Sequence, residues 1–169
     1  MNRKALLVVL AVVVGGVGWY LFRPERLWVN QKVNETLPAT TQASMAAQAP
    51  SAEPVALTSG TFHTVGHTTT GTASIYQLAD GKKVLRFSNF ETSNGPDVQV
   101  YLVAADDAKD SETVKKAGFI HVGALKGNVG DQNYDLPEGV DLAKYRAVTV
   151  WCRRFGVNFG TAPLAPVHT

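Results

Sequence analysis

The chain opens with an uninterrupted apolar run and then changes its pattern. Residues 5–22 hold no charged side chain and are dominated by Leu and Val. As a helix rising about 1.5 Å per residue, a run of this length reaches the lower limit for crossing the core of a bilayer. Arg3 and Lys4 precede it, and Trp19 and Tyr20 lie near its far end, where aromatic side chains favour the headgroup layer. The pattern predicts an N-terminal transmembrane helix that contacts the lipid bilayer through residues 5–22.

A cleaved signal peptide is the alternative to an uncleaved anchor. Gly16 and Gly18 are small residues of the kind that precede a cleavage site. The apolar run nevertheless continues to Phe22 and stops only at a charged segment, residues 23–26, which favours the anchor. A tail of four residues before the run has little room to fold. We therefore expect a single-pass protein of the cell membrane whose remaining chain is extracytoplasmic, either periplasmic or at the cell surface.

The next segment has the composition of a tether. Residues 30–59 are rich in Ala, Thr, Ser, Gln and Pro and contain no aromatic residue, so they offer little apolar surface to bury. We expect a flexible linker with no further role. The chain then has three parts: the anchor and its flanks over residues 1–29, the linker over 30–59 and a folded domain over 60–169.

Within the domain, short apolar runs alternate with polar positions, which is the period of a half-buried strand. Asp80-Gly81 between two runs is a hairpin signal. A short helix is expected from Asp110, an N-cap residue, to Gly118, a stop residue, and a helical turn or two over residues 141–145. The predicted strands are Thr61–Val65, Thr72–Leu78, Lys83–Ser88, Val98–Ala104, Phe119–Leu125, Arg146–Cys152 and Val157–Thr161. Many short strands with few helices predict a mainly β fold, an antiparallel β-sandwich with one or two short helices behind the transmembrane helix.

The charge distribution excludes nucleic acid as a partner. The net charge of +2 arises within residues 1–58, which hold five Lys or Arg and three Asp or Glu. From Ser59 onward each sign occurs eleven times. Nucleic-acid binding requires a concentrated basic surface, and the neutral domain indicates none.

Six segments of the domain, taken in order, resemble a known family. They are His67–Ile75, Val84–Phe90, Asn94–Leu102 with its Gly95-Pro96-Asp97, Gly123–Asn128, Gln132–Pro137, and Val150–Ala162 with its Trp151-Cys152. In order and spacing, over about residues 60–164, they resemble the DM-thirteen domain, also called the electron transfer DM-thirteen domain, and the anchored chain is similar to its bacterial single-pass members. The resemblance implies a β-sandwich, a link to redox work, and a redox role for the family's cysteine, which falls on Cys152.

The only cysteine of the chain, Cys152, has two interpretations. Along its strand it shares a face with Val148 and Val150, whereas Trp151 and Arg153 lie on the other face, so the simplest interpretation is a small buried side chain that fills the core. An unpaired cysteine in an exported domain, together with the resemblance, supports a redox candidate instead. A single thiol cannot form an internal disulfide, so a redox role would use a mixed disulfide with a redox partner protein, a sulfenic acid, or ligation of a metal or haem.

Asp97 and Trp151 are weaker candidates for ligand binding. Asp97 follows Gly95-Pro96 at the entrance of a strand, where the simpler interpretation is a turn whose carboxylate bonds local amides. Trp151 lies beside Cys152 and, with tyrosines of the same domain, is an alternative electron relay, but it most simply covers one face of its sheet. The polar loops over residues 94–97 and 127–132 are the places where a binding module would hold its ligand.

The motifs leave the cofactor unknown. The chain lacks the Cys-x-x-Cys-His of covalent haem and the paired cysteines of zinc sites, and no Ser-His-Asp arrangement stands out. His63 and His67 are four residues apart, a spacing that converges on a helix but not along a strand. His121 lies in a predicted strand and His168 in the tail, so no metal site is predicted.

The sequence thus predicts a membrane-anchored, extracytoplasmic module of the DM-thirteen type, linked to redox work or electron transfer through one cysteine. The alternative is a β-sandwich that binds a ligand or protein without catalysis and in which the cysteine is structural. Exposure of the Cys152 thiol in the folded state distinguishes the two, and the sequence leaves open whether the chain is an enzyme.

Overall fold

A computed structural model of the chain describes residues 2–22, 29–38 and 53–167. The middle of the predicted linker, residues 39–52, and His168 lie outside the described residues.

The first element is a helix, α1, over Arg3–Phe22. Its 20 residues span about 30 Å at 1.5 Å per residue, the thickness of a bilayer core. In the described part of the chain it is the one helix long and apolar enough to cross a membrane, and the same length and composition are found in signal sequences near an N-terminus.

Two packed β-sheets form the rest of the described chain. The strands are β1 (Lys32–Asn34), β2 (Val55–Thr61), β3 (His63–Thr64), β4 (Thr69–Gln77), β5 (Lys83–Thr92), β6 (Val98–Val103), β7 (Phe119–Ala124), β8 (Val129–Asp135), β9 (Ala147–Cys152), β10 (Val157–Pro163) and β11 (Ala165–Pro166), with a helix, α2 (Ser111–Ala117), between β6 and β7. The first sheet has the order β1-β8-β5-β4-β2-β11 and the second the order β3-β10-β9-β6-β7. All pairs are antiparallel except β1 with β8. The predicted mainly β sandwich is confirmed, and each predicted strand overlaps an observed one.

The two sheets enclose an apolar core with an aromatic centre. The ring of Phe62 lies 4.9 Å from that of Phe87 and 5.2 Å from that of Phe90, edge to face in both pairs. In the second sheet, β6 and β9 are buried on both faces, because α2 lies over the outer face. Val114 of α2 packs there into a smaller apolar cluster with Tyr101 and Trp151.

The predicted helix boundaries are confirmed. Asp110 is the N-cap of α2, and its carboxylate accepts a hydrogen bond from the Thr113 N–H at 2.7 Å, which satisfies one of the free amides of the first turn. Gly118 follows the last turn with φ +82°, a conformation that glycine adopts without strain. The segment 141–145 is a turn, closed by the Tyr145 N–H on the Asp141 carbonyl at 3.0 Å.

Strand β8 covers part of a segment that the sequence predicts as a loop, residues 127–132. The Gln132 side chain points into the sandwich and is fully buried. Its Nε2 donates to the Gly127 carbonyl at 2.9 Å, and its Oε1 accepts from the Gly127 N–H at 3.2 Å. A buried polar group is tolerated when its hydrogen bonds are satisfied. The hydrophobic pattern did not predict this strand, because the side chain that points inward is an amide whose hydrogen bonds are made within the protein.

Both described ends of the predicted linker belong to the first sheet. β1 pairs with the start of β8, with Lys32 opposite Val129, and β2 begins at Val55. β1 lies so close to its neighbour that a Cβ at Gly130, which has φ +104°, would overlap the Val33 carbonyl oxygen. Composition did not indicate β1, because its attachment is mainly backbone hydrogen bonding, which most residue types provide.

Glu35 fastens the end of the segment that carries β1. Its carboxylate accepts hydrogen bonds from Lys126 Nζ at 2.8 Å and from the Asn133 N–H at 2.7 Å. Burial on its own raises the pKa of Glu35, but these bonds and the charges of Lys126 and Arg86 outweigh burial and hold that pKa below its ordinary value.

We expect the segment over residues 29–38 to loosen in acid. Because the pKa of Glu35 is lower in the folded than in the unfolded state, the stabilisation is present above the ordinary value of 4.5 and is lost as the pH falls through the folded value. Hydrogen exchange of a peptide covering residues 29–38, corrected for intrinsic rates, should rise below that pH. Glu35→Gln should exchange faster at neutral pH and lose this pH dependence. Unchanged protection in the variant would show that backbone pairing alone holds the segment.

Candidate functional site

The structure places Cys152 in the core of the sandwich. Its side chain is 0% exposed, and its residue lies between Val98 of β6 and Val157 of β10. It joins the same apolar cluster as Val148 and Val150, as the strand phase predicts. Thiol exchange requires one sulfur to attack another directly, so a partner cannot reach this thiol in the native fold.

Asp97 belongs to a chain of polar contacts on the outer face of the second sheet. Its Oδ2 accepts a hydrogen bond from Arg153 Nε at 2.9 Å, and its Oδ1 accepts one from Gln99 Nε2 at 2.6 Å. Gln99 Oε1 in turn lies 2.8 Å from His121 Nε2. The Arg153 N–H also donates to the Asp97 carbonyl at 2.9 Å. The Asp97 carboxylate is thus held by the protein's own groups, and the guanidinium of Arg153 is directed to it on the face opposite the sulfur.

Trp151 lies on the same outer face, 6% exposed. Its ring centroid is 6.3 Å from that of Tyr101, which stacks on Phe119 at 4.3 Å and 11° and meets the edge of His121 at 5.6 Å. Phe119 is 46% exposed. We call Tyr101, Phe119, His121 and Trp151 the outer aromatic cluster; it extends from a buried indole to the protein surface.

Strand register brings these residues together. Gln99 of β6 is paired with Trp151 of β9, and Tyr101 of β6 is paired with His121 of β7. The sequence named Asp97 and Trp151 as separate candidates, and the structure joins them on one face. It did not single out Gln99, Tyr101, Phe119 or His121 as members of this site. The alternation along β6 places Gln99 and Tyr101 on the same face. This alternation was the signal in the sequence that could have identified these two residues.

The two loops considered for ligand binding are contacted by the segment that begins at Val29. The Asn94 amide donates to the Val29 carbonyl and to Asn30 Oδ1, both at 3.3 Å. Gly127 lies so close to Gln31 that a Cβ there would be 2.5 Å from the Gln31 carbonyl oxygen. Residues 29–31 therefore contact both loops, while Pro96 in the first loop stays exposed.

The described histidines have separate partners. His63 Nε2 lies 2.8 Å from Asp107 Oδ1, the His67 ring packs on Phe159 with the centroids 3.9 Å apart and the planes tilted by 34°, and His121 contacts Gln99. Within residues 2–22, 29–38 and 53–167, no three His, Cys, Asp or Glu side chains converge as potential metal ligands.

The environment of Tyr101 limits what the outer aromatic cluster can do. Burial raises the pKa of the Tyr101 phenol above its ordinary value; Arg153 opposes this and Asp97 adds to it. The phenol is therefore protonated at neutral pH, and its oxidation would have to release that proton. An indole such as that of Trp151, by contrast, can lose an electron while it keeps its proton.

The fold and this site define the class of the protein: a β-sandwich domain behind an N-terminal apolar helix, with a buried cysteine and an aromatic cluster on its outer face. The family model described as electron transfer DM13 matches residues 61–164, and the chain belongs to that family. The domain is accordingly a module related to electron transfer. No curated protein and no solved structure matches the chain.

Proposed function

We propose that this chain is a membrane-anchored, extracytoplasmic electron-transfer module that exchanges single electrons with an oxidising partner protein through the outer aromatic cluster. In this proposal Cys152 is a structural residue of the core and Trp151 is the redox group. The observation that carries the proposal is the continuous ring contact from Trp151 through Tyr101 to the exposed Phe119, on the face opposite the fully buried thiol.

The anchored, extracytoplasmic arrangement is supported by α1 and its flanks. Its length matches a bilayer core, and Trp19 and Tyr20 lie near its C-terminal end, as interfacial aromatic residues do. In this proposal the folded domain that follows the helix is the exported part of the chain.

The electron balance of the proposed step is simple. A one-electron oxidant docked beside Phe119 takes one electron from Trp151, and the indole becomes a cation radical. A one-electron donor then returns the electron, so no bond forms and no proton leaves the indole. The rings of Tyr101 and Phe119 occupy the space between the indole and the surface. The hydrogen-bonded side chains of Arg153, Asp97, Gln99 and His121 border this surface. Their charged and polar groups would orient a partner by electrostatic complementarity.

Flash photolysis with ruthenium tris-bipyridine, oxidised to ruthenium(III) as the probe, tests the proposal on the full chain in lipid nanodiscs. The chain has three tryptophans, so Trp19→Phe with Trp28→Phe leaves Trp151 as the only one. We expect an indole radical in this background by transient absorption and electron paramagnetic resonance. Phe119→Leu should slow its formation, whereas Phe155→Leu, a matched change at another exposed phenylalanine, should not.

Cys152→Ala in the same background should leave the rate of radical formation unchanged. A variant that changes this rate as much as Phe119→Leu would return the cysteine to the redox step. Failure of any indole radical to form in the folded chain would refute the electron-transfer route and favour a binding module with a structural cysteine.

A further inference from the structure

The chain meets the sandwich at one end only a few residues after α1. Val29 and Asn30 are held there by Asn94, and the Gln31 N–H donates to Asn128 Oδ1 at 2.7 Å. Asn94 lies in the loop between β5 and β6, and Asn128 in the loop between β7 and β8. We call the end of the sandwich that carries these loops the anchor-proximal end.

The tether between helix and domain is therefore short. Only residues 23–28 lie between α1 and Val29. The residues from Val29 onward are already attached to the sandwich, so they do not lengthen the connection to the helix. Seven residue steps from Phe22 to Val29 span at most about 25 Å even when fully extended. A helix anchored in a bilayer thus keeps the anchor-proximal end close to the headgroup layer.

The turn between β9 and β10, residues 153–156, lies at this same end. Cys152 is paired with Val98, the first residue of β6, and the Arg153 N–H bonds to the Asp97 carbonyl. The Gly156 N–H, at φ +63°, donates to the Cys152 carbonyl at 2.8 Å and closes the turn. This tight closure leaves Phe155 at the tip with 68% of its side chain exposed.

Two basic side chains, Arg154 and Lys115, lie in or beside the turn that carries Phe155. Arg154 is exposed next to it and forms no ion pair within the described part of the chain. Lys115 of α2 lies beside the turn, with its Cε 3.9 Å from where a Cβ of Gly156 would be. Lys115 and Lys116 share one carboxylate, Glu112, and Arg153 is paired with Asp97. These six side chains carry an excess of two positive charges. Elsewhere at this end, Lys32 and Glu91 flank Val129 and balance each other.

We infer that the turn over residues 153–156 docks the domain onto the membrane that holds its anchor. Phe155 enters the headgroup layer, and Arg154 with Lys115 and Lys116 binds anionic phospholipid headgroups. An apolar aromatic side chain framed by Lys and Arg is the combination that binds an anionic membrane interface. The inference rests on the proposed anchoring of α1. When the domain docks by this end, its strands point away from the membrane surface. The outer aromatic cluster then lies on the side of the domain and stays open to a partner.

Fluorescence quenching in nanodiscs tests this docking on the full chain. An environment-sensitive dye is attached at Ser93→Cys, at the anchor-proximal end, or at Ala79→Cys in the hairpin at the opposite end, and the lipids carry a nitroxide quencher. The buried Cys152 does not compete for the label. We expect strong quenching at position 93 and weak quenching at position 79, and a larger difference when phosphatidylglycerol is mixed into phosphatidylcholine.

Charge reversal at the turn should release the domain. Arg154→Glu changes the charge by two, and because each basic residue near an anionic surface contributes about fivefold, the ratio of docked to undocked domains should fall about thirtyfold. Phe155→Ser should also lower it. Lys82→Glu, the same change in the distal hairpin, should have no effect.

Equal quenching at both positions, or quenching that Arg154→Glu leaves unchanged, would overturn the inference. If Arg154→Glu instead abolishes binding of a soluble polyglutamate peptide while quenching persists, the turn serves an acidic protein and membrane docking is refuted. Carbonate extraction separates the two levels of failure. A chain washed from the membrane has no anchor, whereas a retained but unquenched domain is anchored and not docked.

Discussion

Cys152 in the folded chain should react with iodoacetamide far more slowly than in the unfolded chain. Its sulfur is fully buried, so alkylation requires the domain to open. Domains of this size are typically stable by about 5–15 kcal/mol, and a reaction limited to the unfolded fraction is then at least about a thousandfold slower. Mass spectrometry of the alkylated chain, sampled over time at mildly alkaline pH with and without guanidinium, measures the ratio.

An exposed cysteine in the same fold provides the matched control. Ala79→Cys lies in the exposed hairpin between β4 and β5, and we expect it to react in the folded chain at the rate of a free thiol while Cys152 in the same molecule stays unmodified. Similar rates at the two positions would mean that β9 opens readily, and thiol exchange with a partner would again be the leading function. A protected Cys152 supports the interpretation in which its role is to fill the core.

The sequence predicted the parts of the fold that rest on local pattern. Strand phase along β9 placed Cys152 with Val148 and Val150, and the N-cap at Asp110 with the stop at Gly118 gave the bounds of α2. These signals lie within a few residues of each other, where side-chain direction follows directly from the period of a strand or helix.

Contacts between distant residues account for what the sequence did not predict. The approach of Tyr101 to Trp151 depends on the pairing of β6 with β9, and the attachment of Glu35 to Lys126 joins residues 91 positions apart. Neither pairing has a local signal. The sequence predicted β1 as part of the linker. A strand added at the edge of a sheet needs only free backbone groups on its neighbour, here β8. Composition does not reveal such groups.

Among the residues whose environment the sequence did not predict, Gln132 is the one whose substitution should lower the stability of the domain most. Three buried groups depend on its amide: Oε1 accepts from the Tyr134 hydroxyl at 2.7 Å and from the Gly127 N–H at 3.2 Å, and Nε2 donates to the Gly127 carbonyl at 2.9 Å. Burial also raises the pKa of Tyr134 well above its ordinary value, so its hydroxyl is a neutral donor that needs this acceptor.

We expect Gln132→Leu to lower the free energy of unfolding by about 3 kcal/mol, since each buried polar group left without a partner costs about 1–3 kcal/mol. Gln77→Leu, the same change at an exposed position of β4, should stay within about 0.5 kcal/mol of the wild type. Guanidinium unfolding of both variants, followed by fluorescence, measures the difference. Gln31 lies against Gly127, and the amide of Gln132 holds the backbone of Gly127 in place. Gln132→Leu should therefore also speed hydrogen exchange over residues 29–38. If stability falls while exchange in that segment is unchanged, Gln132 supports the core alone, and Asn94 and the bonds of Glu35 hold residues 29–38.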